Sequence, residues 1–129
     1  SREFYKNNKV WIDKYLPKIK SLQFEAYQKL EWNCQGDPFN LRKKIVTFRG
    51  SGVRIRRSTN SPTLISSSVS QVPYLPWKKR YMSYEECLNI QGFRGLKSYP
   101  NGDDTFYSTI GNAVNVGVVT KIAKNLLNH

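Results

Sequence analysis

Ile45-Val46-Thr47-Phe48-Arg49-Gly50-Ser51-Gly52-Val53-Arg54-Ile55-Arg56 is the stretch on which the fold turns. Its first four residues favour β structure and stop at Arg49-Gly50-Ser51-Gly52. Val53 to Arg56 then alternate with period two, so Val53 and Ile55 share one face of a strand and Arg54 and Arg56 the other. Two arginines on a strand face call for water or an anion. Working outward, Pro62 opens a third extended run, Thr63-Leu64-Ile65, and Ser66-Ser67-Ser68 reads as a loop. In Val72-Pro73-Tyr74-Leu75-Pro76-Trp77 each proline removes a backbone donor, which excludes a helix or a central strand.

Both flanks read as helical. Phe4 to Trp32 begins with Trp11, Ile12, Tyr15 and Leu16 on one face. Pro17 breaks the period, and a second helical or irregular segment carries Ile19, Leu22, Tyr27 and Leu30. Gly36-Asp37-Pro38 is a turn cluster and the best boundary. On the other side, Ser83-Tyr84-Glu85-Glu86 has the form of a capping box, with Ser83 at the N-cap and Glu86 reaching back. The short helix it opens buries Cys87, Ile90 and Leu88 and stops at Gly92 in the left-handed region. A polar loop, Ser98 to Asp104, precedes a longer helix from about Val116 to Leu127. That helix is amphipathic, with Val118, Val119, Ile122, Ala123, Leu126 and Leu127 on its apolar stripe. The expected fold class is therefore α+β. One structural domain spans a helical linker segment at 1–37, a basic β-rich region at 38–98 and a C-terminal part at 99–129.

The chain has 129 residues and a formal net charge of +12, enough length for one domain and too little for two. With 39% hydrophobic residues it can form a core. The charge is concentrated: between Pro38 and Tyr84 there is no Asp or Glu, while ten Lys and Arg supply +10 of the total. Such a surface repels itself unless water, a polyanion or an acidic partner meets it, and nucleic acid phosphate is the commonest such polyanion. No run of about 18 apolar residues is present, so no membrane span is expected. Two cysteines, Cys34 and Cys87, are too few for a disulfide scaffold, which makes a reducing cytosol the default. The only methionine is Met82, and the chain reads as a piece of something longer.

Two segments carry a more specific signal. Arg80-Tyr81-Met82-Ser83-Tyr84-Glu85-Glu86-Cys87-Leu88-Asn89-Ile90-Gln91-Gly92-Phe93 resembles the ninth conserved motif of the DNA (cytosine-5) methyltransferases, commonly Arg-x-Leu-Thr-x-Arg-Glu-x-x-Arg-Leu-Gln-x-Phe-Pro. Arg80, Glu86, Gln91 and Phe93 match it. Met82, Ser83 and Ile90 are conservative replacements, and Glu85, Asn89 and Arg94 depart from it. Further on, Tyr107-Ser108-Thr109-Ile110-Gly111-Asn112-Ala113-Val114 is similar to the tenth motif with its Gly-Asn-Ala/Ser-Val core; Asn115 and Val116 stand where prolines often follow. Upstream, Gln28 to Trp32, Phe48 to Ile55 and Ser61-Pro62-Thr63-Leu64 look like the less conserved target-recognition region.

The resemblance implies a small target-recognition domain flanked by helices, with a C-terminal helix that returns to a catalytic domain. It implies double-stranded DNA as partner, S-adenosylmethionine as cofactor, a prokaryotic cytosol and restriction-modification as the setting. In that family a cysteine thiolate adds to C6 of a flipped-out cytosine, a glutamate protonates N3, and C5 takes the methyl group. The Phe-x-Gly-x-Gly, Pro-Cys, Glu-Asn-Val and Gln-x-Arg-x-Arg motifs for that chemistry do not occur here. No catalytic residue and no metal ligand is therefore expected in this chain, and the chain alone is expected to be inactive.

Its expected contributions are DNA contacts from Arg49, Ser51, Arg54, Arg56, Arg57 and Thr63, and one wall of a cofactor pocket from Asn112, Ala113 and Val114. Arg80, Glu86 and Gln91 are expected to be structural. The apolar stripe from Val118 to Leu127 is expected either to self-associate or to dock on the chain's own small domain. The competing reading is a non-catalytic nucleic-acid-binding module, which gives no reason for the tenth-motif segment. A basic membrane-surface protein is a weaker reading, because no basic amphipathic helix with a large apolar face is present.

Overall fold

The computed structural model describes residues 2–65 and 69–127, so the expected loop at Ser66 to Ser68 and the terminal His129 lie outside the described residues. The architecture is α+β. Strands β2 (Lys44–Arg49) and β3 (Gly52–Arg57) form an antiparallel hairpin that pairs Thr47 with Arg54, Val46 with Ile55 and Phe48 with Val53. Directly opposed residues share a face. Val46, Phe48, Val53 and Ile55 thus lie on one side of the sheet, and Ile45, Thr47, Arg49, Arg54 and Arg56 on the other. Gly52 has φ +139°, and a Cβ there would stand 2.9 Å from the Lys29 carbonyl oxygen. That carbonyl accepts the Val53 N–H at 2.8 Å, so the glycine permits the approach that ties the preceding segment to the hairpin.

The preceding segment ends in a strand where the sequence predicts helix. β1 (Leu30–Asn33) runs parallel to β3 and sets Glu31 beside Arg54 and Trp32 beside Ile55. Of its four residues only Trp32 is buried, and that burial against the sheet overrides the helical pattern upstream. The predicted boundary at Gly36-Asp37-Pro38 is a turn, with Gly36 at φ +82° and Asp37 N–H bonded to the Cys34 oxygen, but the same sheet extends to both sides of it.

Helix α1 (Arg2–Lys20) continues through Pro17 and is interrupted instead at Asn8 (φ −130°, ψ 17°). Pro17 sits in the last turn of a helix with no buried residue, where water meets the carbonyl it leaves unbonded.

Two short strands complete the sheet, β4 (Tyr74–Leu75) and β5 (Arg80–Tyr81), in the order β1-β3-β2-β4-β5. The Val72–Trp77 stretch therefore does contribute an interior strand. The ladder uses only Tyr74 and Leu75, so Pro73 and Pro76 fall outside it, and the Pro73 carbonyl accepts from Met82 N–H at 2.8 Å. The third predicted extended run, Thr63-Leu64-Ile65, is irregular; Pro62 and Leu64 are buried while Thr63 points outward.

Each face of the sheet carries its own core. On one side Trp32, Cys34, Val46 and Ile55 are buried beneath Phe4 and Phe39, with Phe4 stacked on Trp32 at 5.0 Å between ring centroids. On the other, Ile45, Leu64, Val72, Leu75 and Met82 meet α2 (Tyr84–Gln91) and α3 (Asp103–Asn112) through Cys87, Leu88, Phe106, Tyr107 and Ile110. Burying each such side chain stabilises the fold by roughly 1.5–3 kcal/mol.

Helix α2 has the capping box predicted for it, and Gly92 ends it at φ 85°. Helix α3 falls where the sequence predicts a loop and its sequel. Asp103 and Asp104 occupy its first turn, where the helix dipole favours acids, and Phe106, Tyr107 and Ile110 give it a buried face. Helix α4 (Val116–Leu127) is present with the predicted bounds, yet no residue of it is buried. It does not dock on the rest of the chain. Among the described residues no helix is long and apolar enough to cross a membrane.

Candidate nucleic-acid interface

The alternation of β3 places Arg54 and Arg56 on one face, and the hairpin adds Thr47 and Arg49 from β2. With Pro62, Thr63, Ile65 and Gln71 these residues line an open concavity of ≈190 Å³. Four of the six DNA-contact residues expected from sequence, Arg49, Arg54, Arg56 and Thr63, are therefore brought together. Ser51 lies exposed in the hairpin turn, outside the concavity. Arg57 projects from the opposite face, where its Nε donates to Asp37 at 3.0 Å and its Nη2 to the Gln35 carbonyl at 2.7 Å. Both hydrogen bonds commit its guanidinium to the protein.

The self-repulsion expected of an acid-free segment is partly met from within. Acids outside the segment pair with five of its ten cations: Asp37 with Lys44 and Arg57, Glu31 with Arg54, and Glu86 with Lys78 and Arg80. Arg49 and Arg56 form no ion pair among the described residues, and the Arg56 Nε is buried without a hydrogen-bond acceptor. A buried guanidinium nitrogen without an acceptor carries a desolvation cost. Of the five cations left without an ion pair among the described residues, Arg49 and Arg56 line the concavity, while Arg42, Lys43 and Lys79 lie outside it.

Glu31 is the residue of this site that sequence reading missed. Its carboxylate accepts from Arg54 Nε and is held below the usual carboxylate range, first by that hydrogen bond and further by the charges of Arg54, Arg49 and Arg56. The alternation of Leu30-Glu31-Trp32-Asn33 was the available signal, but only the parallel pairing with β3 puts Glu31 next to Arg54.

A second constellation joins the two segments that carry the family resemblance. Arg80, on β5, forks onto Glu86 with Nη1 to Oε2 at 2.8 Å and Nη2 to Oε1 at 3.0 Å; Lys78 adds a contact at 2.7 Å and the Ser83 N–H another at 2.9 Å. These donors, the Arg80 fork foremost, pull the Glu86 carboxyl down to about 2. Gln91 Nε2 donates to the carbonyls of Ile110 at 3.0 Å and Ala113 at 3.3 Å, Tyr107 Oη to that of Met82 at 3.1 Å, and Asn115 Nδ2 to that of Ile90 at 2.9 Å. Asn115 also caps α4 by accepting from Val118 N–H at 3.1 Å.

The model of the C-5 cytosine-specific DNA methylase family matches residues 2–128. The chain belongs to this family. Among curated proteins it is similar to the type II methyltransferase M.AluI of Cellulosimicrobium cellulans, at 33% identity over 100 residues. That alignment covers 75% of this chain and 18% of the relative, so the chain spans less than a fifth of that methyltransferase's length. No solved structure matches it.

The sequence resemblance marks the segment around the end of α3 as one wall of a cofactor pocket. Asn112 is the exposed last residue of α3, Ala113 is its half-buried C-cap in extended conformation, and Val114 is 65% exposed. Beside them Ala113, Thr109, Ile110, Phe93, Leu88 and Tyr99 border an almost wholly apolar cavity of ≈230 Å³. This donor set, one amide side chain and an apolar edge without a charge, suits one wall of a cofactor pocket and cannot enclose one. Both cysteines are fully buried, and burial pushes the Cys87 thiol up to about 12 and the Cys34 thiol above its ordinary value. That environment is the reverse of one that makes a nucleophilic thiolate.

Proposed function

We propose that this chain is the DNA-recognition part of a DNA (cytosine-5) methyltransferase of the restriction-modification type, working in the prokaryotic cytosol on double-stranded DNA. The observation that carries the reading is the concavity in which Arg49, Arg54, Arg56 and Thr63 converge, with Arg49 and Arg56 in no ion pair among the described residues. Arginine forks bond phosphate oxygens and guanine edges alike, so the backbone contacts set affinity and a subset of side chains sets sequence. Ser51, at the hairpin tip, and Arg57, on the far face, stay peripheral to this contact.

The methyl donor of the reaction is S-adenosylmethionine, which supplies the electrophilic methyl group when bound. Asn112, Ala113 and Val114 form one wall of its pocket. The remaining walls and the catalytic cysteine and glutamate belong to a catalytic domain or subunit. Arg80, Glu86 and Gln91 hold the frame between the two contacts. The exposed apolar stripe of α4 is the face offered to the catalytic part, and in its absence the chain self-associates.

Fluorescence anisotropy with a labelled 24-base-pair duplex tests the reading. The logarithm of affinity should fall linearly with that of salt, with a slope of about −0.9 for each phosphate neutralised. The Arg49→Gln, Arg56→Gln double variant should flatten that slope by about 1–2. An affinity unchanged between 50 and 200 mM salt would remove the phosphate role. The chain alone should transfer no methyl group from S-adenosylmethionine to DNA, and measurable transfer would overturn the assignment of catalysis to a separate part.

A further inference from the structure

The arginines of the concavity differ in one respect that the recognition reading leaves unused. Arg54 is bonded through Nε to Glu31, while its two Nη groups have no hydrogen-bond partner among the described residues. The carboxylate thereby occupies the side edge of the guanidinium and leaves the end-on fork free. That fork matches O6 and N7 of guanine in the major groove. Arg49 and Arg56, lining the same concavity, have no carboxylate to orient them.

Glu31 is also an unexpected residue on a phosphate-binding surface. Its side chain is 37% exposed and ionised, so it opposes the approach of any phosphate to the three arginines. A site built only to grip the backbone gains nothing from such an acid. A site that must hold one arginine in a single orientation gains pre-organisation, which lowers the ordering cost of binding.

We infer that Glu31 is a positioning residue for sequence recognition: it holds Arg54 as the reader of a guanine edge, while Arg49 and Arg56 act as orientation-tolerant phosphate contacts. This rests on the DNA-recognition reading and adds a division of labour to it. The inference has an unusual signature, because Glu31 works for discrimination and against affinity. Removing it should lower sequence preference while leaving binding to arbitrary duplex unchanged or tighter. A merely structural role would weaken both together.

The test selects duplexes with a randomised 10-base-pair core on the wild-type chain and measures Kd for the enriched sequence and for the unselected pool. The wild type should enrich a sequence with a required guanine, and replacing that guanine with adenine should cost roughly 5- to 150-fold, the range set by one bidentate arginine–guanine pair, with 7-deazaguanine, which keeps O6 and lacks N7, costing a smaller part of it. Glu31→Ala and Arg54→Lys should lose most of that discrimination, and Glu31→Gln part of it, with pool affinity unchanged or raised for the Glu31 variants. Arg56→Gln should weaken binding to all sequences and keep the preference.

Far-UV circular dichroism melting confirms folding, and Glu31→Gln, which keeps the acceptor, carries the test if Glu31→Ala unfolds. Failure of the wild type to bind any duplex would overturn the recognition reading itself. Binding with no enriched guanine, or a preference that survives both Glu31→Ala and Arg54→Lys, would overturn this inference and leave the recognition reading standing.

Discussion

Gln91, the last residue of α2, donates through Nε2 to the carbonyl of Ile110 in α3 at 3.0 Å and reaches the Ala113 carbonyl at 3.3 Å. Its side chain is 9% exposed, so those two carbonyls receive from a buried amide what water would otherwise supply. One side chain thus fastens α2 to the segment beside the apolar cavity. Gln91→Ala should destabilise the chain by about 2–3 kcal/mol in urea titrations, combining lost packing with the loss of the donor to the Ala113 carbonyl; the Ile110 carbonyl keeps the Ala113 N–H at 3.3 Å. Gln91→Glu should be worse at pH 7, because a carboxylate would face two carbonyl oxygens, and should recover as the pH falls and the acid protonates. Equal loss at pH 5 and pH 7 would deny this geometry.

Glu86 is the charged counterpart of that fastening. Its folded pKa of about 2 lies below the ordinary carboxylate value of 4.5, so it contributes stability that is complete above about pH 4.5 and lost as pH falls toward 2. The partly exposed partners screen the interaction, which leaves about 1–2 kcal/mol. Urea midpoints of the wild type should fall across that window more than those of Glu86→Gln. Parallel pH profiles for the two proteins would show that the Arg80 fork contributes nothing.

Residues with strong local signals were legible before the structure. Ser83, Glu86 and Gly92 specify their helix by side-chain geometry alone, and Val53 to Arg56 declare their faces by alternation. What was not legible depended on contacts distant in sequence. Leu30 to Asn33 carries no turn signal that separates it from the helical pattern upstream, and only parallel pairing with β3 makes it a strand. The start of α3 was not legible: Asp103 and Asp104 read as the end of the polar loop from Ser98, and the Tyr84 ring stacked on Phe106 at 3.9 Å supplies packing that no local pattern announces. The arginine cluster was found because β-strand period is local, while its acid Glu31 was missed because strand order is not.

Both thiols should be unreactive in the folded chain. Cys34 and Cys87 have no exposed surface, and burial raises both thiol pKa values, which suppresses the thiolate that attacks disulfide reagents. Ellman's reagent at pH 8 should titrate less than about one-tenth of the thiols over minutes in buffer and two per chain in 6 M guanidinium. Cys87→Ala should leave DNA affinity unchanged and cost stability of the order of 1–2 kcal/mol, as for any small buried apolar group. A fast native reaction would mean that one of the two cores opens readily.

Helix α4 sets the most exposed prediction. Val118, Val119, Ile122 and Leu126 stand 47–71% exposed along one stripe, and Asn115 ties only the helix start to α2 through the Ile90 carbonyl. A 12-residue helix without tertiary support is marginal in water, since isolated helices need about 12–15 residues even with favourable composition. The stripe must therefore be covered for the helix to persist, and in the purified chain the available cover is another copy. Sedimentation equilibrium at tens of micromolar should give a mass above 15.0 kDa that falls on dilution, with helical ellipticity falling in step. Ile122→Lys should yield a monomer at all concentrations with the ellipticity of the dilute wild type, because a charge in the middle of the stripe cannot be buried without a partner. A wild-type monomer that keeps full helicity at every concentration would show that α4 holds itself, and the apolar stripe would then have no part in self-association.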